Sequence, residues 1–115
     1  MGAPGGPTHL VRGDVVIVQF PFTDLSATKL RPALVVAALN GDDVMLCQIT
    51  SQHKSAHSAI PITATDFTAG TLARDSYVRP EHLFTGNRNL TRRIGHLRDS
   101  KVQEVISRII QILTT

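Results

Sequence analysis

An arginine stands directly before a proline where a polar segment of the chain gives way to an apolar one. The polar segment is TDLSATK, and Arg31-Pro32 opens the apolar run that follows it. A guanidinium offers parallel N–H donors that match the oxygens of a phosphate. Proline disfavours helical backbone in the residue before it, so Arg31 is expected in extended backbone at the start of a strand. The pattern predicts a cation that is held at a rigid edge and can bind an anion.

A turn further along the chain predicts the neighbour of Arg31. Asn40-Gly41 is typical of a two-residue type I′ hairpin, in which both central residues have positive φ. Counting outward from that loop puts Arg31 opposite Thr50, and side-chain alternation puts Gln48 on the same face. The other face is predicted to be core: Pro32, Leu34, Val36, Met45, Cys47 and Ile49.

Other groups with reactive chemistry are less well placed. His53 and His57 in HKSAH would meet on a helix and suggest zinc, but no third ligand accompanies them and the segment is predicted to be a loop. Either histidine could act as a base near neutral pH, although histidines in surface loops are common. Cys47 is not expected to be a nucleophile, because a buried thiol behaves as a small apolar group.

Composition sets broad limits on the chain. Its 115 residues fit a flexible Gly- and Pro-rich tail at 1–8 and a single domain at 9–115. Twelve Lys and Arg against nine Asp and Glu give a net charge of +3, which favours polyanionic partners only slightly. One cysteine excludes an internal disulfide, and no apolar run approaches the length that spans a bilayer. We expect a cytoplasmic protein without a membrane segment.

The elements that must position these residues are mostly strands. Segments rich in β-branched residues predict strands at 14–20, 32–39, 43–50, 76–80 and 91–97. A weaker strand at 58–62 contains a proline that confines it to an edge or a bulge. One helical turn is expected at 63–67.

Helical spacing of apolar residues predicts one helix at 100–113, with Leu113 closing its apolar stripe. A capping box from Ser100 to Gln103 and an ion pair between Glu104 and Arg108 are expected in it. Short strands followed by one helix predict a mainly β fold, a small barrel or half-barrel with the helix packed on it. Exposed sheet edges in a domain of this size favour a homodimer.

Four short motifs occur in order along the chain. They are Gly-Asp before the first strand, Arg-Pro opening the second, Ile-Thr-Ser-Gln closing the third, and Ser-x-Val-Arg at 76–79. With the apolar C-terminal helix, they make the chain from Val11 onward resemble the MazF/PemK (Kid) family of toxin endoribonucleases. The resemblance implies a half-open, SH3-like barrel that forms a homodimer, cuts single-stranded RNA without metal or cofactor, and is silenced by an acidic, partly disordered, MazE-like antitoxin.

The resemblance also implies site residues. The family's catalytic arginine falls on Arg31 and its partner threonine on Thr50, the two residues that the hairpin count places side by side. Side chains expected to hold RNA phosphates or read bases are Lys29, Gln48, Ser51, Gln52, Arg12 and Arg79. Phe20, Phe22 and Phe84 are better interpreted as core than as stacking platforms. Six arginines in 74–98 are interpreted either as an RNA groove or as a solvated face.

RNA can be cut by its own 2′-hydroxyl if charge is stabilised and protons are moved. Arg31 is expected to stabilise charge and donate a proton, and Thr50 to fix the phosphate, with the base unassigned. The loop before Arg31 is shorter than in better-known members, which leaves the recognised RNA sequence open. Two alternatives share the fold: a toxin that binds a protein such as gyrase, and an RNA-binding barrel without catalysis.

Overall fold

Seven strands and one helix make up the part of the chain that the structure, a computed structural model, describes. That part is 9–20, 29–52 and 58–115, and the side chains of Phe20 and Lys29 are not described. The predicted tail at 1–8 lies outside it. The elements are β1 (Asp14–Phe20), β2 (Lys29–Ala38), β3 (Asp43–Thr50), β4 (Ile60–Ile62), β5 (Phe67–Gly70), β6 (Ser76–Asn87), β7 (Thr91–Leu97) and α1 (Asp99–Thr114). Within those ranges, α1 lacks the length and apolar character needed to cross a membrane.

The strands form one antiparallel sheet in the order β4-β6-β3-β2-β1-β7-β5. Because β4 and β5 lie at opposite ends of that order and do not pair with each other, the sheet curls without closing. The predicted mainly β fold, a half-open barrel with a C-terminal helix, is confirmed. Pro61 lies in the edge strand β4, as its missing N–H requires.

Strand β6 continues through Pro80 to Asn87, although the sequence predicted that it would end at the proline. Cys47 of β3 pairs with Leu83 and Ile49 pairs with Val78, so four residues of β6 bulge opposite Gln48. Pro80 lies in this bulge, where the ladder does not need its N–H. Strand β5 was not predicted, because FTAG is too short and too exposed to show an alternating pattern.

The β2–β3 hairpin has the predicted register at Ala33 and Val35, but its turn differs from the predicted one. Positive φ occurs at Gly41 (69°) but at no non-glycine residue of the described ranges, so the predicted type I′ turn is wrong. Leu39 N–H donates to Asp43 O, which makes the loop one residue longer than predicted. A bulge at Val36 then absorbs the extra residue, and Val35–Leu46 and Ala33–Gln48 pair as expected.

The two faces of the sheet bury two apolar clusters. The main core contains Leu34, Val36, Cys47 and Ile49, as predicted, and packs against α1. The second cluster lies on the face predicted to be polar: Leu10, Val16, Val18, Ala33, Val35, Val44 and Leu46, with half-buried Phe84. The sequence prediction missed this cluster because Val35 and Leu46 were not assigned to any face.

Helix α1 buries Val102, Val105 and Ile109 against the sheet. Leu113 is 71% exposed, so the predicted stripe ends one turn earlier. Arg98 is the N-cap, and the predicted Ser100–Gln103 capping box is wrong because both residues lie inside the helix. Glu104 pairs with Lys101 rather than Arg108, whose guanidinium donates to Ser58 O. The predicted helical turn at 63–67 is confirmed as a 3₁₀ turn, Ala64–Asp66.

Candidate functional site

A cleft of about 650 Å³ opens at the end of the sheet where β2 begins and β3 ends. Arg31 lines it from β2, and Thr50, Ser51 and Gln52 line it from the end of β3. Its far wall is the connection between β5 and β6, residues 71–74 and Ser76. The apolar part of the lining comes from Ile17, Leu30, Pro32, Ile49, Leu72 and Ile94. The structure thus brings four of the predicted site residues to one cavity.

Sheet register explains how Arg31 and Thr50 come to share this cleft. Val18 pairs with Arg31, which puts Arg31 on the face of the second apolar cluster. Thr50 follows Ile49 of the main core and so belongs to the same face as Arg31. The β2–β3 ladder ends at the pair Ala33–Gln48, before it reaches Arg31 and Thr50. Arg31 and Thr50 therefore line the same cleft but are not a pair of the ladder.

The Thr50 hydroxyl is oriented by its own loop. Gln52 N–H donates to Thr50 Oγ1 over 3.1 Å, a local turn in which the hydroxyl oxygen accepts a backbone hydrogen bond. A hydroxyl that accepts in this way still has its O–H to donate. The half-buried Arg31 offers the N–H donors of a guanidinium from the neighbouring strand. The cleft therefore presents cationic and neutral donors, the combination that suits an anion with several oxygens.

The charge of the cleft has one sign among the described residues. Arg31 and Arg74 line it, and no Asp or Glu does. Arg74 was part of the basic stretch noted in the sequence, but nothing singled it out. Its proximity to Arg31 depends on the pairing of β5 with β7 and of β6 with β3, which local spacing does not reveal.

The remaining predicted RNA contacts lie elsewhere or outside the described part. Gln48 is half-buried in mid-strand opposite Ala33. Arg12 donates from Nε to Val36 O at 2.9 Å, and Arg79 pairs with Glu81 at 3.3 Å. None of these three lines the cleft. The Lys29 backbone belongs to β2 beside Arg31, and His53, His57 and Phe22 lie outside the described residues.

Glu81 and Cys47 lie close to Arg79. The Ser58 hydroxyl donates to Glu81 at 2.7 Å. Partial burial acts to raise the pKa of Glu81, yet that pKa is lowered, because Ser58 and Arg79 together favour the carboxylate. Burial raises the pKa of Cys47 to about 12, the charge of Glu81 acts in the same direction, and the thiol donates to Arg79 O. Cys47 is therefore a protonated core thiol, as the sequence predicted.

The Gly-Asp motif has a structural explanation. Asp14 is buried, and its carboxylate accepts from Val11 N–H at 2.8 Å and lies 2.8 Å from His96 Nδ1. Arg93 lies 3.7 Å away. This network joins the turn before β1 to β7. In the described ranges no group of three or more His, Cys, Asp or Glu side chains is placed to hold a metal ion.

A curled, half-open β barrel with a cationic cleft at its open end and one packed helix is the class of domain that the fold and the site define. A family model described as "PemK-like, MazF-like toxin of type II toxin-antitoxin system" matches residues 11–113. The chain belongs to this family. The resemblance stated from the sequence motifs is confirmed.

Solved structures agree with the fold at low sequence identity. A MazE–MazF structure from Deinococcus radiodurans is 19% identical, with a TM-score of 0.72 over 90% of this chain and 95% of that one. An endoribonuclease from a mycobacterial species is 16% identical, with a TM-score of 0.67 over 90% of each chain. An endoribonuclease in complex with its cognate antitoxin, also mycobacterial, is 13% identical, with a TM-score of 0.68 over 90% and 94%. No curated protein sequence matches the chain significantly.

Proposed function

We propose that this protein is an endoribonuclease toxin that cuts single-stranded RNA through the attack of a 2′-hydroxyl on the adjacent phosphorus. The observation that carries the proposal is the shared cleft of Arg31 and Thr50, whose described lining has two arginines and no carboxylate. Membership of a toxin family with endoribonuclease structural neighbours supports it. The products would be a cyclic phosphate and a free 5′-hydroxyl, and we propose the cytoplasm as the site of action.

The roles of the two residues follow from their chemistry. The reaction builds negative charge on the non-bridging phosphate oxygens, and the Arg31 guanidinium can donate two parallel hydrogen bonds to them. A guanidinium is a poor base, so we assign to Arg31 the stabilisation of charge and the supply of a proton to the leaving oxygen. Thr50 Oγ1, held by Gln52 N–H, donates its own O–H to the same phosphate. Ser51 and Gln52, on the same rim, are in position to contact the bases.

Some predicted RNA contacts are assigned to a wider surface. Lys29 is two residues from Arg31 on β2, and we propose that it holds an adjacent phosphate. Gln48, Arg12 and Arg79 are proposed to contact RNA beyond the cleft, although Arg12 and Arg79 also make the internal contacts described above. No metal or cofactor is needed for this chemistry, since the nucleophile belongs to the RNA.

One assay tests the nuclease proposal. The purified protein is incubated with a mixed-sequence RNA pool in EDTA, and the ends of the products are identified by mass spectrometry. We expect cyclic-phosphate ends, a rate about 100-fold or more lower in Arg31→Ala, and about tenfold lower in Thr50→Val. Thr50→Ser, which keeps the hydroxyl, is the matched control and should retain most activity.

Three other outcomes would overturn the proposal. RNA that stays intact but is retained by the protein would identify a non-catalytic RNA-binding domain. RNA that stays intact and unbound would point to a toxin that acts by binding a protein. Equal activity of Arg31→Ala and wild type would move the reaction away from this cleft.

We also propose that an acidic, partly disordered antitoxin inhibits the protein and that the protein is a homodimer. A structural neighbour is an endoribonuclease in complex with its cognate antitoxin, and the cationic cleft suits acidic side chains as well as phosphates. An acidic peptide should therefore compete with RNA, less so at high salt. Light scattering at micromolar concentration should give twice the mass of the chain, and a monomeric mass would refute the dimer.

A further inference from the structure

The wall of the cleft opposite Arg31 is held at one end by the packing of Leu72 and at the other by the buried Ser76. Leu72 is half-buried and packs against the main core. Ser76 is 5% exposed, and its position opposite Ile62 fixes the start of β6. The Ser76 hydroxyl donates to Arg74 O at 3.0 Å. The backbone of Arg74 is thus fixed, although its side chain is exposed.

Arg74 differs from most arginines of the basic stretch in what its side chain contacts and in lining the cleft. Arg79 pairs with Glu81, Arg93 with Asp14, and Arg98 donates to Thr65 O. In the described part of the chain, the guanidinium groups of Arg74 and Arg92 make no hydrogen bond or ion pair of this kind, and Arg92 does not line the cleft. It lines the cleft together with Arg31, and an exposed cation on a fixed backbone is suited to binding an anion from solution.

The apolar lining beside Arg74 adds a second kind of contact. Leu72, Ile94 and Ile17 contribute to the same cavity, which at about 650 Å³ falls in the range that accommodates small-molecule ligands. A nucleotide has both chemistries, an apolar base face and a charged phosphate. The acidic side chains of a peptide would pair with Arg74, but these charged side chains would not cover the apolar lining beside it. The combination favours RNA over an acidic protein segment.

We propose that Arg74 binds the RNA phosphate next to the one that is cut, with the intervening base against Leu72 and Ile94. This inference rests on the proposed function for the identity of the polymer. Because Arg74 would contact a phosphate that does not react, it contributes to RNA binding equally before and during the reaction. Its removal should weaken binding and leave the chemical step almost unchanged.

Binding of uncleavable RNA tests this proposal separately from cleavage. A fluorescein-labelled, mixed-sequence 2′-O-methyl RNA pool lacks the nucleophile, and its Kd is measured by anisotropy between about 50 and 200 mM salt. The variants are Arg74→Ala, Arg74→Lys and, as a control that removes the same charge from a residue outside the cleft lining, Arg93→Ala. Thermal unfolding of each variant confirms that it is folded.

We expect Arg74→Ala to raise Kd roughly tenfold. The slope of log Kd against log salt concentration should fall by about 0.7, the value for one single-strand phosphate contact. Arg74→Lys should retain the wild-type slope, since it keeps the charge. Arg93→Ala should also retain it, because Arg93 lies outside the cleft lining and its charge is paired with Asp14.

A wild-type slope in Arg74→Ala would overturn the inference, as would wild-type protein that binds no RNA. So would an Arg74→Ala protein with normal RNA affinity but weaker inhibition by an acidic peptide, which would assign Arg74 to the antitoxin. An Arg74-dependent slope in a protein that cuts no natural RNA would support Arg74 as a contact to an RNA phosphate at the cleft and would refute the nuclease proposal alone.

Discussion

Replacing Asp14 by alanine is expected to destabilise the sheet more than removing any exposed carboxylate. Its side chain is only 1% exposed and connects two parts of the chain that are far apart in sequence. Asp14→Ala leaves Val11 N–H and His96 Nδ1 without the acceptor that lies 2.8 Å from each, and it removes the partner of Arg93. The turn before β1 would lose its side-chain attachment to β7 and keep the backbone hydrogen bond from Leu97 N–H to Gly13 O.

The magnitude follows from the exposure of the partners. Removing one member of a buried charged pair costs about 3–5 kcal/mol. His96 and Arg93 are 29% and 52% exposed, so water can replace part of what they lose. We therefore expect a loss of about 2–3 kcal/mol in the free energy of unfolding, or a fall in Tm of about 8–15 °C for a domain of this size. Asp14→Asn keeps an acceptor oxygen and should lose about half as much.

Urea and thermal unfolding followed by circular dichroism measure this loss. Asp42→Ala removes an exposed carboxylate from the hairpin loop and is the matched control, with an expected change within about 0.5 kcal/mol. If Asp14→Ala and Asp42→Ala have the same stability, the buried network does not support the sheet and our interpretation of the Gly-Asp motif is wrong.

Three further predictions concern single groups. Gly70→Ala should lower the free energy of unfolding in urea by more than about 2 kcal/mol, because φ is +61° and a Cβ would lie 2.0 Å from Ile94 O. Gly41→Ala is the control: φ is +69° but no atom lies within 4 Å of the added Cβ, so the loss should be only about 1–2 kcal/mol. Equal losses in the two variants would refute the clash at Gly70. Since burial raises the pKa of Cys47 to about 12, iodoacetamide at neutral pH should label the protein only after unfolding, and labelling of the native state would contradict its burial. The pKa of Glu81 is lowered in the folded state despite partial burial, so its contribution to stability is present above the ordinary carboxyl pKa and is lost as the pH falls through the lowered pKa. Glu81→Gln should therefore lose less stability on acidification than wild type. Identical acid unfolding curves for the two proteins would exclude this contribution.

The sequence predicted those elements whose pattern is local. Strands β1, β3 and β7 have the predicted bounds, because β-branched residues run between clear breakers. The helix is displaced at its start by only one residue. The continuation of β6 past Pro80 was missed because a bulge that tolerates proline depends on the partner strand. Strand β5 was missed for a related reason, since only pairing with β7 makes FTAG a strand.

The residues of the candidate site were likewise predicted where the signal was local and missed where it depended on strand order. Arg31 and Thr50 were predicted from a turn and from a family resemblance, and both line one cleft. Arg74 and the rest of the 71–76 wall were not predicted, because they reach the cleft only through the order of strands in the sheet. The Asp14–His96 contact could not be predicted either, since 82 residues separate the partners and neither has a local signal.

The common face of Arg31 and Thr50 was inferred from a turn type that the chain does not adopt. The extra residue in the 40–42 loop would by itself shift β2 against β3 by one position and turn Arg31 to the opposite face. The bulge at Val36 cancels that shift. A bulge leaves backbone groups outside the ladder, and Arg12 Nε donates to Val36 O at 2.9 Å. Arg12, predicted from the sequence as an RNA contact, therefore also supports the bulge on which the placement of Arg31 depends.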